Sequence, residues 1–164
     1  MTDKERLEGM VEYIESLPIK TKVIVFEPGT TKTAQMAADQ LGVSVGQIAK
    51  SILFLAEETP VLVVTSGDAK INTSKIKKQL GIKPKMASKE ECIEKTGFPP
   101  GGVCPFGLTN VQILLDSSME RFDTVYAAAG TSNTAVPITM AQLVEVTGGK
   151  VVDVCKYGKE LSDV

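Results

Sequence analysis

Residues 96–107 read TGFPPGGVCPFG, with four glycines and three prolines in twelve positions. Proline fixes φ and glycine admits backbone conformations closed to other residues, so such a loop can be stiff and can bring N–H groups close to a ligand. An anion or a developing oxyanion is a natural guest. A tight structural connection is the other reading, because the same residues punctuate ordinary loops. Lys50 is the second candidate. It falls where a short helix hands over to an apolar strand, and strand alternation puts it on the face of Ile52 and Phe54. Either it points into a pocket, where it could hold a phosphate or polarise a carbonyl oxygen, or it snorkels from the strand end into solvent.

Weaker signals surround these two. Residues 30–33, TTKT, precede an expected helix start, where backbone N–H groups favour anions and Lys32 adds charge; ordinary N-capping explains the same residues. Asp116 ends an apolar strand just before Ser117 and Ser118, so it either serves a site or caps the next turn. The lysines at 70, 75, 77, 78, 83 and 85 form either a weak RNA-facing patch or a solvated helix face. Cys104 lies inside the rigid loop, yet the chain has no histidine to activate it, so packing suits it better than nucleophilic attack.

That absence of histidine is itself informative. It excludes Ser-His and Cys-His catalysis and any metal site built on imidazole. The three cysteines, Cys92, Cys104 and Cys155, show no close pairing and read as reduced thiols rather than a disulfide or thiolate-metal framework. Net charge is −2, so a nucleic acid would need a local basic face rather than an overall excess of positive charge.

The elements that must position these residues follow from periodicity. Leu7, Met10, Val11, Ile14 and Leu17 have helical spacing and Pro18 stops them, which makes residues 1–20 an N-terminal helical segment. Residues 22–26 read as a strand, 33–41 as a helix ended by Gly42, and 45–49 as a short helix. The runs 51–56 and 61–65 are almost continuously apolar, as expected of adjacent antiparallel strands covered on both faces. A lysine-rich helix is expected from Ser74 to Leu80, closed by Gly81, and Ser88 with Glu91 fits a capping box. Strands at 111–115 and 124–129, a helix at 140–146, a strand at 151–154 and a tail over 155–164 complete the reading. With 164 residues, 43% of them hydrophobic, and no linker or repeat, the chain is expected to be one α+β domain spanning 1–164. Its charged first residues and the lack of a long apolar run point to a soluble cytoplasmic protein.

In order and spacing, these residues resemble the YbaK/prolyl-tRNA synthetase-associated editing domain family from about Val23 to Val154. The resemblance is carried by Thr33-Ala34, Ala37-Ala38, Leu41-Gly42, residues 47–51, Gly67-Asp68, residues 96–98, the Gly-x-x-x-Pro loop at 101–105, Asp116 and Gly130-Thr131. It implies a mixed, mainly antiparallel, barrel-like sheet flanked by helices. It also implies a free-standing hydrolase that removes a mistaken small amino acid from the 3′ end of tRNA without metal or organic cofactor, in trans. By position Lys50 matches the family's essential lysine. Thr33, Gly101, Gly102, Val103, Cys104 and Pro105 would hold the aminoacyl group, and Gly130 with Asn133 would form another wall. An aminoacylated tRNA is the implied partner, with docking to an aminoacyl-tRNA synthetase a further one. An aminoacyl ester is already activated, so positioning of water, carbonyl and the neighbouring ribose hydroxyl can supply much of the acceleration.

One departure stands out. Some relatives carry a histidine or an acid shortly after the Gly130 equivalent, where this chain reads Ser132, Asn133, Thr134 and Ala135; Asn133 can hydrogen-bond but cannot act as a base near neutral pH. A non-catalytic module that binds a tRNA end, an aminoacyl-adenosine or a nucleotide is therefore the principal rival, ahead of a purely structural protein and of a proline-binding enzyme fragment.

Overall fold

The computed structural model describes residues 2–157. Helix α1 (Asp3–Glu15) starts from a capping box made by Thr2 and Glu5 and buries Met10 and Ile14. The short strand β1 (Ile24–Val25) leads to α2 (Ala34–Leu41), whose N-cap is Thr33 and whose end is Gly42 in the left-handed conformation. A 3-10 turn (Val45–Gln47) then enters β2 (Ile48–Ala56). A two-residue turn returns the chain into β3 (Thr59–Ser66), with Glu57 at φ 59, a region that side chains rarely adopt.

The next elements are β4 (Lys70–Ile71), α3 (Thr73–Leu80) capped by Asn72 and closed by Gly81, β5 (Lys85–Met86) and α4 (Lys89–Thr96) with the Ser88–Glu91 capping box. After the glycine- and proline-rich loop come β6 (Gln112–Asp116), a 3-10 turn (Ser117–Arg121), β7 (Val125–Ala127) and β8 (Thr134–Ile138). Helix α5 (Met140–Thr147), β9 (Lys150–Val152) and β10 (Cys155–Lys156) finish the described chain. Residues 155–156 thus pair with β4 rather than trailing as coil, and 158–164 of the expected tail lie outside the described residues.

The main sheet has 8 strands in the order β1-β8-β7-β2-β3-β6-β9, with β5 added to β2. It is mixed, as expected for an α+β domain flanked by helices. Strands β2 and β3 pair antiparallel along their whole length, from Ala49 opposite Ser66 to Ala56 opposite Thr59. Strand β7 joins β2 in parallel, β6 joins β3 in parallel, and β8 runs antiparallel to both β7 and β1.

Burial on both faces explains why the runs 51–56 and 61–65 within β2 and β3 are almost continuously apolar. On one face Ala49, Leu53, Leu62, Val64, Ile113 and Leu115 pack beneath α1, α4, α5 and the 96–107 loop. On the other, Phe54, Val61, Val63 and Leu114 pack beneath Ile76 of α3 and the chain around Val154.

Three expectations shift in detail. Strand β2 begins at Ile48, three residues earlier than its apolar run, so Lys50 sits inside the strand rather than at its threshold. The pairing of Ala49 with both Ser66 and Ala127 extends the ladder over residues that read locally as a helix end. The expected strand at 22–26 shrinks to Ile24–Val25. Strand β8 has no counterpart among the expected strands, because Pro137 interrupts its pattern; Pro137 lies beyond the residues that pair with β1, and its carbonyl accepts the Thr21 hydroxyl at 2.6 Å instead.

Candidate functional site

The first turn of α2, the start of β2, the 101–103 backbone and the facing strands β7 and β8 enclose a cavity of about 280 Å³. Thr33 holds the mouth of α2 by accepting the Met36 N–H at 3.1 Å through its hydroxyl. Ala34 and Ala37 leave room opposite the sheet, and Lys50 and Ile52 of β2 line the floor beside Tyr126. Register explains this convergence. Ile48 lies opposite Tyr126, so Lys50, Ile52, Tyr126 and Ala135 all project from the same face of the sheet.

Among the described residues the lining has two amines, Lys32 and Lys50, one phenol, Tyr126, and several hydroxyls, but no carboxylate or thiol. Some hydroxyls are committed. Thr31 donates to the Ser132 carbonyl at 2.7 Å, and Thr134 donates to the Thr131 carbonyl while accepting the Ala129 N–H. Lys50 is half-buried, and among the described residues its amine has no hydrogen-bond or ion-pair partner. The site can therefore bind an anion or polarise a carbonyl, and among the described residues neither a carboxylate nor an imidazole lines it.

A model of the aminoacyl-tRNA editing domain matches residues 28–146. The chain belongs to the aminoacyl-tRNA editing domain family. The protein YwhH of Bacillus subtilis is 43% identical over 130 residues, 77% of this chain and 83% of that protein. The proline–tRNA ligase of Thermosipho melanesiensis is 32% identical over 118 residues, 71% of this chain, and this match spans only 21% of the ligase. A crystal structure of a candidate trans-editing enzyme for prolyl tRNA synthetase superposes with a TM-score of 0.84 at 32% identity, covering 95% of this chain and 99% of that one.

Within this editing domain the sequence-derived candidates separate into three groups. Thr33, Lys50, Gly101 and Val103 meet in the cavity. Gly102, Gly130 and Asn133 instead face a second cavity of about 370 Å³, between α1 and the prolines at 28, 99 and 100. The loop is thus a partition whose successive residues face opposite sides. Gly102 and Gly130 touch across it: a Cβ on Gly102 would stand 2.6 Å from the Gly130 carbonyl oxygen, and one on Gly130 would meet the Phe98 ring at 2.9 Å. Gly102 also donates its N–H to the Pro99 carbonyl at 3.0 Å, which removes it from the donors free to receive an oxyanion.

Cys104 and Pro105 are buried and line neither cavity. Burial pushes the Cys104 thiol up to about 12, only partly opposed by the backbone N–H groups of Phe106 and Gly130, so it is an inert packing group. Asn133 uses its amide to donate to the Phe26 carbonyl at 3.0 Å, and its own carbonyl accepts the Phe26 N–H. Its work is to fasten β1 to the start of β8.

Asp116 is fully buried and caps: one oxygen accepts the Ser118 N–H at 3.0 Å, the other the Val154 N–H at 2.8 Å. Behind Lys50, Thr65 sits opposite it on β3 and bonds both Cys155 Sγ at 3.1 Å and Ser118 Oγ at 3.4 Å. Burial raises the Cys155 thiol to about 12, against the opposing effects of the Thr65 hydrogen bond and the Lys50 charge.

Sequence reasoning missed one ionic feature. Arg121 grips both oxygens of Asp68, at 2.6 and 3.0 Å, donates to the Ser118 carbonyl at 2.7 Å and lies over the rings of Phe122 and Tyr157. Hydrogen bonding from Arg121 holds the Asp68 carboxyl below its ordinary value despite partial desolvation. The pair is separated by 53 residues, so no local spacing announces it. Tyr126 was also missed; its alternation with the core residues Val125 and Ala127 was the available signal. Among the described residues no cluster of acids and cysteines could hold a metal ion, and no helix is long and apolar enough to cross a membrane.

Proposed function

We propose that this protein hydrolyses, in trans, the ester linking a mistaken small amino acid to the 3′ end of tRNA, with tRNA-Pro the favoured carrier. The observation that carries the reading is Lys50, whose amine lines a small cavity of an editing-domain fold and has, among the described residues, no hydrogen-bond or ion-pair partner and no carboxylate beside it in the lining. Matches to proline–tRNA ligases support the choice of tRNA. The cavity is near the lower end of ligand pockets, which suits a small aminoacyl group rather than a bulky one.

In this mechanism Lys50 holds the ester carbonyl oxygen or the adjoining phosphate, and the Gly101–Val103 wall fixes the aminoacyl group. Water adds to the carbonyl carbon, the bond to the ribose oxygen breaks, and the proton from water reaches that leaving oxygen by way of the neighbouring ribose hydroxyl. No protein base is required, in keeping with the lining. Soluble, cytoplasmic action without metal or organic cofactor completes the proposal.

Incubation with a panel of mischarged tRNAs tests it. The parent protein is expected to release a small amino acid and Lys50→Ala to do so far more slowly; survival of every ester at high protein concentration would sink the reading. The same lack of a base favours a second reading, a non-catalytic module for the tRNA end. Tight binding of aminoacylated tRNA with no hydrolysis by the parent would select it.

A further inference from the structure

We propose that the lysine face built from α3, the segment after it and β5 receives the duplex of the tRNA acceptor stem while the 3′ end enters the Lys50 cavity. The proposal rests on the deacylase reading above and adds the surface that reading lacks. Between Asp68 and Glu90 the chain has seven lysines and no carboxylate. Because the whole chain sums to −2, the remainder carries −9. Positive charge is therefore concentrated in one stretch of an otherwise acidic protein.

The fold turns that stretch outward. Lys70, Lys77, Lys78, Lys83, Lys85 and Lys89 are all exposed, and none of them forms an ion pair among the described residues. Helix α3 buries Ile76, which leaves Lys77 and Lys78 on the solvent side. Pro84 is buried, so Lys83 and Lys85 on either side of it share the outward direction, roughly 7 Å apart at extended spacing. Lys75 is the exception: it turns to Asp153 at 3.0 Å and to the Cys155 carbonyl at 2.9 Å, pinning α3 to the body.

Placement ties this face to the cavity. Strand β5 pairs with Phe54 and Leu55, four residues along β2 from Lys50, about 13 Å at strand rise. Ile76 and Leu80 of α3 pack with Ile52 and Phe54, on the side of the sheet from which Lys50 projects. The opposite side is covered by α1, whose Asp3, Glu5, Glu8, Glu12 and Glu15 are exposed carboxylates. Lys85 pairs opposite Leu55 and so turns to the other side of the sheet, near Glu91, which makes the lysines a cationic edge with Lys77 and Lys78 on the Lys50 side rather than a single face. A narrow cavity beside such an edge fits a ligand whose reactive group hangs by a single strand from a polyanionic duplex. Nucleic-acid duplexes present about one negative charge per 1.7 Å of axis, and each lysine–phosphate contact releases counterions, so such docking weakens steeply with salt.

The test is a combined variant, Lys77→Gln, Lys78→Gln, Lys83→Gln and Lys85→Gln, checked for an unchanged thermal melt, with Glu8→Gln and Glu12→Gln as an off-face control. For a mischarged tRNA the lysine variant should raise KM at least tenfold with kcat retained, and should flatten the dependence of KM on salt. For the same amino acid esterified to adenosine alone it should match the parent. The control should match the parent on both substrates. An unchanged KM for tRNA, or equal losses on tRNA and on the adenosine ester, overturns the surface. If the parent hydrolyses neither ester, the deacylase reading fails, and fluorescence anisotropy with labelled uncharged tRNA decides the surface by itself. A tenfold weaker variant supports docking, whereas equal affinity overturns it. Loss of binding to phosphatidylserine vesicles with tRNA affinity intact would also overturn it, in favour of a membrane.

Discussion

Strands β2, β3 and β6 present two faces built from alternate residues of the same peptide. On one, Leu53, Leu62, Val64 and Leu115 form a continuous apolar layer sealed by three helices. On the other, Phe54, Val61, Val63 and Leu114 give way toward the start of β2 to Lys50, Thr65, Asp116, Ser118 and Cys155. The difference shows how one hairpin serves two ends: polar groups replace apolar volume toward the strand end that carries Lys50, and the neighbouring layer supplies the stability that this substitution gives up. Changes on the two faces should therefore separate activity from stability.

Lys50→Ala should have the largest effect and the cleanest one. Deacylation of mischarged tRNA should fall about 100- to 1,000-fold, the usual loss for one electrostatic contact to the reacting group. Its thermal melt should stay at the parental value; a drop matching that of a core variant would break the comparison. Leu62→Ala, on the sealed face, should cost about 2–5 kcal/mol in urea unfolding, while the folded fraction keeps the parental KM.

Gly102→Ala tests the partition between the two cavities. Its Cβ would stand 2.6 Å from the Gly130 carbonyl oxygen, so backbone must move. Unfolding should register a loss of about 1–3 kcal/mol, accompanied here by a raised KM because the Gly101–Val103 wall shifts with it. An unaltered KM would mean that the wall does not touch substrate.

Asp68→Asn should have the smallest effect, at most about 1 kcal/mol for a half-exposed pair, and it should depend on pH. Arg121 lowers the folded-state pKa of Asp68, so the pair's contribution is full above the unfolded value and disappears as pH falls through the lowered one. Parent and variant should therefore differ at pH 7 and converge in strong acid, as read by denaturant midpoints. A constant gap down to the acid limit would mean that the asparagine disturbs packing rather than charge.

Much of the framework was legible because local signals agreed with tertiary demands. Continuous apolarity in 51–56 and 61–65 revealed burial on both faces, and Thr33, Ser88, Gly42 and Gly81 marked helix ends where the structure has them. Lys50, by contrast, was readable as a position but not as a strand interior, since the residues before it are held by β7 from far along the chain. Strands of two residues, such as β4 and β5, are too short for any period to register. In the 101–105 loop, type and spacing identified the segment but not its orientation. Which side Gly102 faces depends on its contact with Gly130, and that contact is invisible to composition. Asn133 had the right chemistry for a ligand, and the Phe26 backbone claims it first.

The parallel docking of β7 on β2 has a consequence for how the site comes into being. Ile48 must wait for Tyr126, 78 positions later in synthesis, before its strand has that neighbour. Lys50 therefore leaves the ribosome long before the floor and far wall of its cavity exist. Contacts of such sequence separation are slow to form, because the intervening chain must first be brought together. The cavity is therefore complete only once the strands around Tyr126 and Ala135 have closed beside β2.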